Sequence, residues 1–204
     1  MITNKQELHE YIEADECVQP QHHNLIVRLI CGRMFSLKKH LRKCEYHHNV
    51  ACSNNFQKLY HKLAYYWHLY RLRRINESYG SEIPINVFGK GLAIWHGQRI
   101  IVNPNVRVGD YCSLSSGVVL AETHDKNPVI GNNVELMVDS KVLGGITVAD
   151  NVRIGANTVV LKSINEPNTT WVGYPARKVS DKGTIETPVP RVGSYKGGFL
   201  QLFK

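Results

Sequence analysis

A beat of six residues runs through the second half of the chain and leaves few ways to fold it. Val102, Val108, Leu114 and Leu120 share one phase. After a break the beat resumes at Ile130, Leu136, Val142, Val148, Ile154 and Val160. A second beat sits four residues further on, at Val106, Cys112 and Val118, then at Val134, Ser140, Ile146, Val152 and Thr158, all small or β-branched. Helices repeat at 3.6 residues and simple strands at two, so neither explains a period of six. A stack of triangular coils does: three short strands and three turns per eighteen residues, with the aliphatic beat pointing inward onto the residue one coil away. The segments 102–119, 130–147 and 148–165 then read as coils of a parallel β-helix. Gly109, Gly131 and Gly155 directly follow aliphatic beats, and Asp110, Asn132, Asn133, Asp150, Asn151 and Asn157 crowd the turns. Both sets are expected there because they accept turn dihedrals that β-branched residues resist.

The chain has 204 residues and no apolar run long enough for a transmembrane helix. Its opening, MITNKQELHEYIEADE, is polar and does not read as a signal peptide. Five cysteines in odd number, without CxxC spacing, argue for reduced thiols in a cytoplasm and against a zinc site or disulfide frame. No metal is expected. The formal net charge of +8 invites an anionic partner.

Residues 1–80 contain no six-beat and read as a basic α-helical region. A first helix is expected over 5–14, capped by Thr3 or Asn4; basic amphipathic helices follow over 25–45 and 56–77. Twelve Lys/Arg against seven Asp/Glu place five of the eight net positive charges here. Two readings stay open: docking to an anionic membrane face or lipid-linked acceptor, or a solvated basic surface. The aromatic residues sit at helical spacing, which argues against a base-stacking platform, and no nucleic-acid partner is expected. The eight histidines of this region lack a metal motif and read as structural or surface residues.

The prism is expected over 81–179, with an extended tail over 180–204 that ends in a short packed segment at 199–203. Pro167 and Pro175 are expected to end regular pairing. Two defects interrupt the beat. One is a two-residue slip between Ile100 and Val102, just after Trp95-His96-Gly97; the other is the insertion 121–129, AETHDKNPV. On a scaffold of identical coils such departures are favoured places for chemistry.

The segments GKGLAIWH, IIVNPNVRVG, DKNPVIGNNV, VRIGANTVVLKSI and TTWVGYPARKV resemble the hexapeptide-repeat acetyltransferases. Within them they look closest to the serine acetyltransferase-like branch that includes acetylators of capsule and exopolysaccharide sugars. YIEADE and the basic 38–45 stretch look like the helical region of that polysaccharide group. The resemblance covers 1–179. It implies a left-handed β-helix, a homotrimer, acetyl-CoA as donor and active sites between neighbouring subunits. It places His96, in Gly-Leu-x-Ile-x-His, at the catalytic position. An imidazole of pKa near 6.5 suits removal of a hydroxyl proton in the transition state. Glu82 is the candidate to orient it. The resemblance also implies that pantetheine lies along the coil edge at Gly144, Gly145, Gly155 and Ala156, with Lys162, Arg177 and Lys178 near the CoA phosphates.

Three departures from serine acetyltransferases bear on the acceptor. Trp95 stands where they carry an aspartate, Ser81 where they carry an acid, and Asp125-Lys126-Asn127-Pro128 replaces Asp-Arg-His-Pro. Those departures remove contacts to an amino acid and put an aromatic ring beside the base. The expected acceptor is therefore a hydroxyl of a carbohydrate or lipid-linked saccharide in polysaccharide biosynthesis, contacted by Trp95, Asp125 and Lys126. His124 is either a second polar group at the acceptor or a loop residue. The alternatives are serine O-acetyltransfer and a non-catalytic structural prism.

Overall fold

The computed structural model describes residues 1–19 and 33–185. The expectations for 20–32 and for 186–204, including the first part of the second helix and the 199–203 segment, lie outside the described residues. Helix α1 spans Lys5–Val18, α2 Arg33–Asn49 and α3 Asn55–Tyr79. Asn4 caps α1 by accepting from the Glu7 amide, and Asn54 caps α3 by accepting from Gln57. Gly80, at φ 59°, ends α3 in the left-handed region.

Thirteen strands follow: β1 Ala93–Ile94, β2 Ile101–Val102, β3 Arg107–Val108, β4 Ser113–Leu114, β5 Val119–Ala121, β6 Val129–Ile130, β7 Glu135–Leu136, β8 Lys141–Leu143, β9 Thr147–Val148, β10 Arg153–Ile154, β11 Val159–Val160, β12 Thr170–Val172 and β13 Arg177–Ser180. They form three sheets: β1-β4-β7-β10-β12-β13, β2-β5-β8-β11 and β3-β6-β9. All pairs are parallel except β12–β13. The product is a parallel β-solenoid of about four coils, and its six-residue repeat fits a left-handed β-helix.

Register confirms the beat and measures its defects. Ile130 pairs with Val148 and Leu136 with Ile154, eighteen residues apart (148 − 130; 154 − 136). Val108 pairs with Ile130 and Leu114 with Leu136, twenty-two apart, because the coil carrying the insertion is four residues longer. Ile94 pairs with Leu114, twenty apart, across the slip. Both beats are buried, including Cys112, Ser140 and Thr158. Burial pushes the Cys112 thiol up to about 12, so it packs rather than reacts.

The turns correct one expectation. Left-handed dihedrals fall three residues after the beat, at Tyr111, Asn133, Asp139, Asn151 and Asn157. Gly109 and Gly131 are not left-handed; they are glycine because a Cβ would meet the next coil's backbone, at 2.7 Å from Gly131 for the first and 2.9 Å from Ala149 for the second. Pro167 does not end pairing, since β12 continues the ladder from β10 and then turns back into β13. The start of the tail is docked. Thr184 is buried and donates its hydroxyl to the Asn133 carbonyl at 2.7 Å.

The helices close the first coil, and their charge is not all surface. Arg42 is fully buried and uses all five N–H donors: two on Asp15, one on Glu45, and one each on the carbonyls of Phe88 and Gly89. Asp15 also accepts from the Leu92 amide, and Glu45 from Asn86. Buried Lys38 donates to the carbonyls of Asp15 and Leu92. Thus Lys38 and Arg42, read from sequence as part of a docking or solvated face, instead fasten α1 and α2 to residues 86–92.

Candidate active site

His96 follows β1 at the corner leading from the first sheet to the second. Its turn is held from four sides. The Trp95 amide donates to the Leu114 carbonyl at 3.0 Å. Gln19, just after α1, completes the free edge of β1 by bonding both the carbonyl and the amide of Ile94. The Ser81 hydroxyl donates to the Gly97 carbonyl at 2.6 Å and accepts from the Ile100 amide at 3.0 Å. Met34 packs so closely on Gly97 that a Cβ there would overlap its sulfur. The His96 side chain itself is exposed on this fixed backbone. Sequence reasoning missed Gln19 and Met34, and it noted Ser81 only as a departure. Glu82 is exposed; its backbone bonds the Ile100 carbonyl and the Val102 amide, and among the described residues no hydrogen bond joins its carboxylate to His96.

The 121–129 insertion is a tight hairpin. Thr123 and Lys126 exchange backbone hydrogen bonds, and His124 and Asp125 between them are both left-handed, the pattern of a type I′ turn. Residues 122–126 are exposed. The hairpin folds over Gly144 and Gly145: the Gly144 amide donates to Ala121, and a Cβ on Gly145 would stand 2.7 Å from that of Lys126. The carbonyl oxygen of the Asn127 side chain is buried without a hydrogen-bond partner.

Strand order separates the candidate residues onto two edges. A ladder from Gln98 to Gly117, Ser116 to Asp139 and Val138 to Asn157 runs down the edge that carries Trp95, His96, Gly155 and Ala156. His124, Asp125, Lys126, Gly144, Gly145 and Lys162 lie on the next edge, which follows the second sheet. One face of the prism lies between them, roughly 15–20 Å of strand. The third edge is stitched by side chains: Asn132 accepts from the Asp110 amide and Asp150 from the Asn132 amide. It carries no candidate residue. A single chain therefore does not bring His96 to the insertion.

Lys162 and Arg177 are exposed, and among the described residues neither has a carboxylate partner. Lys178 is engaged by Asp181 and Glu166, whose hydrogen bonds raise its pKa. It is thereby less available to a phosphate than Lys162 or Arg177. Among the described residues no cluster of His, Cys, Asp or Glu could hold a metal ion, and no helix is long and apolar enough to cross a membrane.

Comparison with known proteins bears on the prism as a whole. Residues 127–162 match the family described as bacterial transferase hexapeptide (six repeats). The chain is 34% identical over 154 residues to a serine acetyltransferase of Synechococcus elongatus, covering 69% of this chain and 63% of that protein. It is 39% identical over 109 residues to one of Staphylococcus epidermidis, 51% of each. The chain thus spans between half and just under two thirds of the length of these curated relatives. Crystal structures of serine acetyltransferase from Brucella abortus superpose with a TM-score of 0.65 at 25% identity, over 88% of this chain and 69% of that one. The coenzyme A complex of the same protein superposes at 0.63, over 87% and 68%. The chain is similar to serine acetyltransferases over half to just under two thirds of their length. That overturns the carbohydrate acceptor and the capsule branch expected from Trp95 and the altered insertion. Trp95 is half-buried, with its backbone in the ladder.

Proposed function

We propose that the chain is an acetyl-CoA-dependent serine O-acetyltransferase, cytoplasmic and active as a homotrimer, with each site built from the His96 edge of one copy and the insertion edge of the next. The observation that carries this is His96: an exposed imidazole on a turn fixed by Ser81, Gln19, Met34 and the Leu114 carbonyl, in a prism similar to serine acetyltransferases. The neighbouring copy follows from the separation of the two edges, and a head-to-tail contact repeated three times closes a ring.

In this reading the His96 imidazole accepts the proton of the serine hydroxyl as its oxygen attacks the thioester carbon. The carbon–sulfur bond breaks as the tetrahedral oxyanion collapses, and the imidazolium returns the proton to the departing sulfur. The acetyl ester and free CoA are the products. A backbone amide at the coil edge supplies the donor that the oxyanion requires. The donor substrate fits the residues present. Gly144, Gly145, Gly155 and Ala156 leave the edges narrow, and exposed Lys162 and Arg177 offer charge to phosphates. His124, Asp125 and Lys126 line the acceptor from the neighbouring copy. Ser81 positions His96 through Gly97, and Glu82 stands as the group that reaches the imidazole once acceptor is bound.

The test is thiol release from acetyl-CoA with and without L-serine. Serine-dependent release that drops at least ~100-fold in His96→Ala, the scale of lost general-base catalysis, supports the assignment. Absence of serine-dependent release in the purified chain, or near-normal turnover in His96→Ala, overturns it.

A further inference from the structure

Among the described residues the outer face of α3 is apolar, long and uncovered. Phe56, Leu59, Leu63, Tyr66, Trp67 and Tyr70 are between 55% and 82% exposed. Their spacing of three, four, three, one and three residues keeps them on one side of the helix. At 100° per residue the stripe, with Tyr60, spans an arc of about 120°. The opposite side, with Tyr65, Leu69, Leu72 and Ile75, packs onto the core. The stripe is therefore surplus to the packing among the described residues.

Charge says what it meets. Lys62 and Arg73 flank the stripe on one side, Arg71 flanks it on the other, and Arg74 lies at its C-terminal end; all four are exposed. From residue 46 to residue 76 the chain has no Asp or Glu. Arg74 is paired with Glu77 at 3.4 Å, so two copies meeting through this face would bring six cations unpaired among the described residues (Lys62, Arg71 and Arg73 of each) against one another. A neutral protein groove would leave the same cations unanswered. A bilayer with anionic headgroups meets both requirements. Leucine and aromatic side chains enter the headgroup–acyl boundary, Trp67 and the tyrosines sit at the polar interface, and the lysine and arginine stems reach back to lipid phosphates. We propose that α3 is a peripheral docking surface for an anionic membrane, lying flat with its Phe56–Tyr70 stripe toward lipid. This inference does not depend on the acceptor or on the acetyl-transfer reading.

The experiment is co-sedimentation of the full chain with phosphatidylcholine vesicles, with and without phosphatidylglycerol. Binding is expected only with the anionic lipid, and it is expected to fall at high salt as screening removes the charge term. Leu63→Glu/Trp67→Glu and, separately, Arg71→Glu/Arg73→Glu are each expected to lower the bound fraction about tenfold or more, by the apolar and the electrostatic parts of the interaction respectively. All four side chains are exposed, so melting temperature and thiol release are expected to stay as in the parent chain. No pelleting with anionic vesicles overturns the proposal. So does binding unaltered in both variants. A fall in particle mass by light scattering in Leu63→Glu/Trp67→Glu also overturns it, because that marks the stripe as a contact between copies.

Discussion

Replacing Arg42 by Met tests whether the helical region is welded to the first coil or merely appended to it. Arg42 is fully buried, and its five donors satisfy two carboxylates and two carbonyls. Methionine fills much of the volume but leaves Asp15 and Glu45 buried without their cation. Breaking a buried ion pair from one side costs about 3–5 kcal/mol, mostly as the stranded charge. For a chain of this size each kcal/mol lowers Tm by roughly 2–4 °C, so a fall of about 6–20 °C is expected in a thermal melt followed by far-ultraviolet circular dichroism. The triple variant Arg42→Met/Asp15→Asn/Glu45→Gln removes the stranded charges and is expected to recover more than half of the loss. A single-variant cost below ~1 kcal/mol, the level of an exposed pair, would refute the weld. So would a triple variant no better than the single one, since that would locate the cost in packing.

Three further outcomes follow from the same geometry. Ser81→Ala strands the Gly97 carbonyl and the Ile100 amide in a buried place, at about 1–3 kcal/mol per group; kcat is expected to fall more steeply than Tm, and cysteine at this position is expected to restore little. His40, His47 and His68 sit between α2 and α3 with pKa values lowered to about 4, by burial first and then by neighbouring cations and histidines. Their unfolded forms take up protons as pH falls from 6.5 towards 4 while the folded forms resist, so stability is expected to drop across that window; urea melts of His47→Gln should show a shallower drop, and an unchanged slope would count against the cause. Gly131→Ala places a Cβ against the Ala149–Asp150 backbone, and a Tm loss of several degrees is expected although its φ is ordinary.

Much of the prism was legible because stacking forces each coil to repeat the demands of the last. The same aliphatic beat pairs with itself one coil away, so its two failures could be counted in residues before any coordinate was known, and register returned coils of twenty and twenty-two residues. The reason for Gly109 and Gly131 was not legible, since close approach of the next coil depends on register rather than on local dihedral preference. The charges on α2 were misread for a similar reason. Lys38 and Arg42 look solvated in a helical pattern, and only the packing of α1 and residues 86–92 shows acceptors around them. Gln19 gave no signal, because capping the edge of β1 is a contact across seventy-five residues. The acceptor is not legible from Trp95, Ser81 and the insertion, because the absence of a family's residues does not by itself say what replaces their substrate. The division of His96 and the insertion between two edges depends on strand order, which the beat alone does not state.

That division supplies the most direct measurement. His96→Ala is inactive in this account because its base is gone, and His124→Ala/Asp125→Ala because its acceptor wall is altered, yet each lesion lies on a different edge. Co-expressed in equal amounts and purified together, the two chains should form mixed rings in which about a quarter of the interfaces join an intact His96 edge to an intact insertion edge. Serine-dependent thiol release at about a quarter of the parent rate is the expected result. Activity no greater than the sum of the two variants alone would contradict a site built between copies.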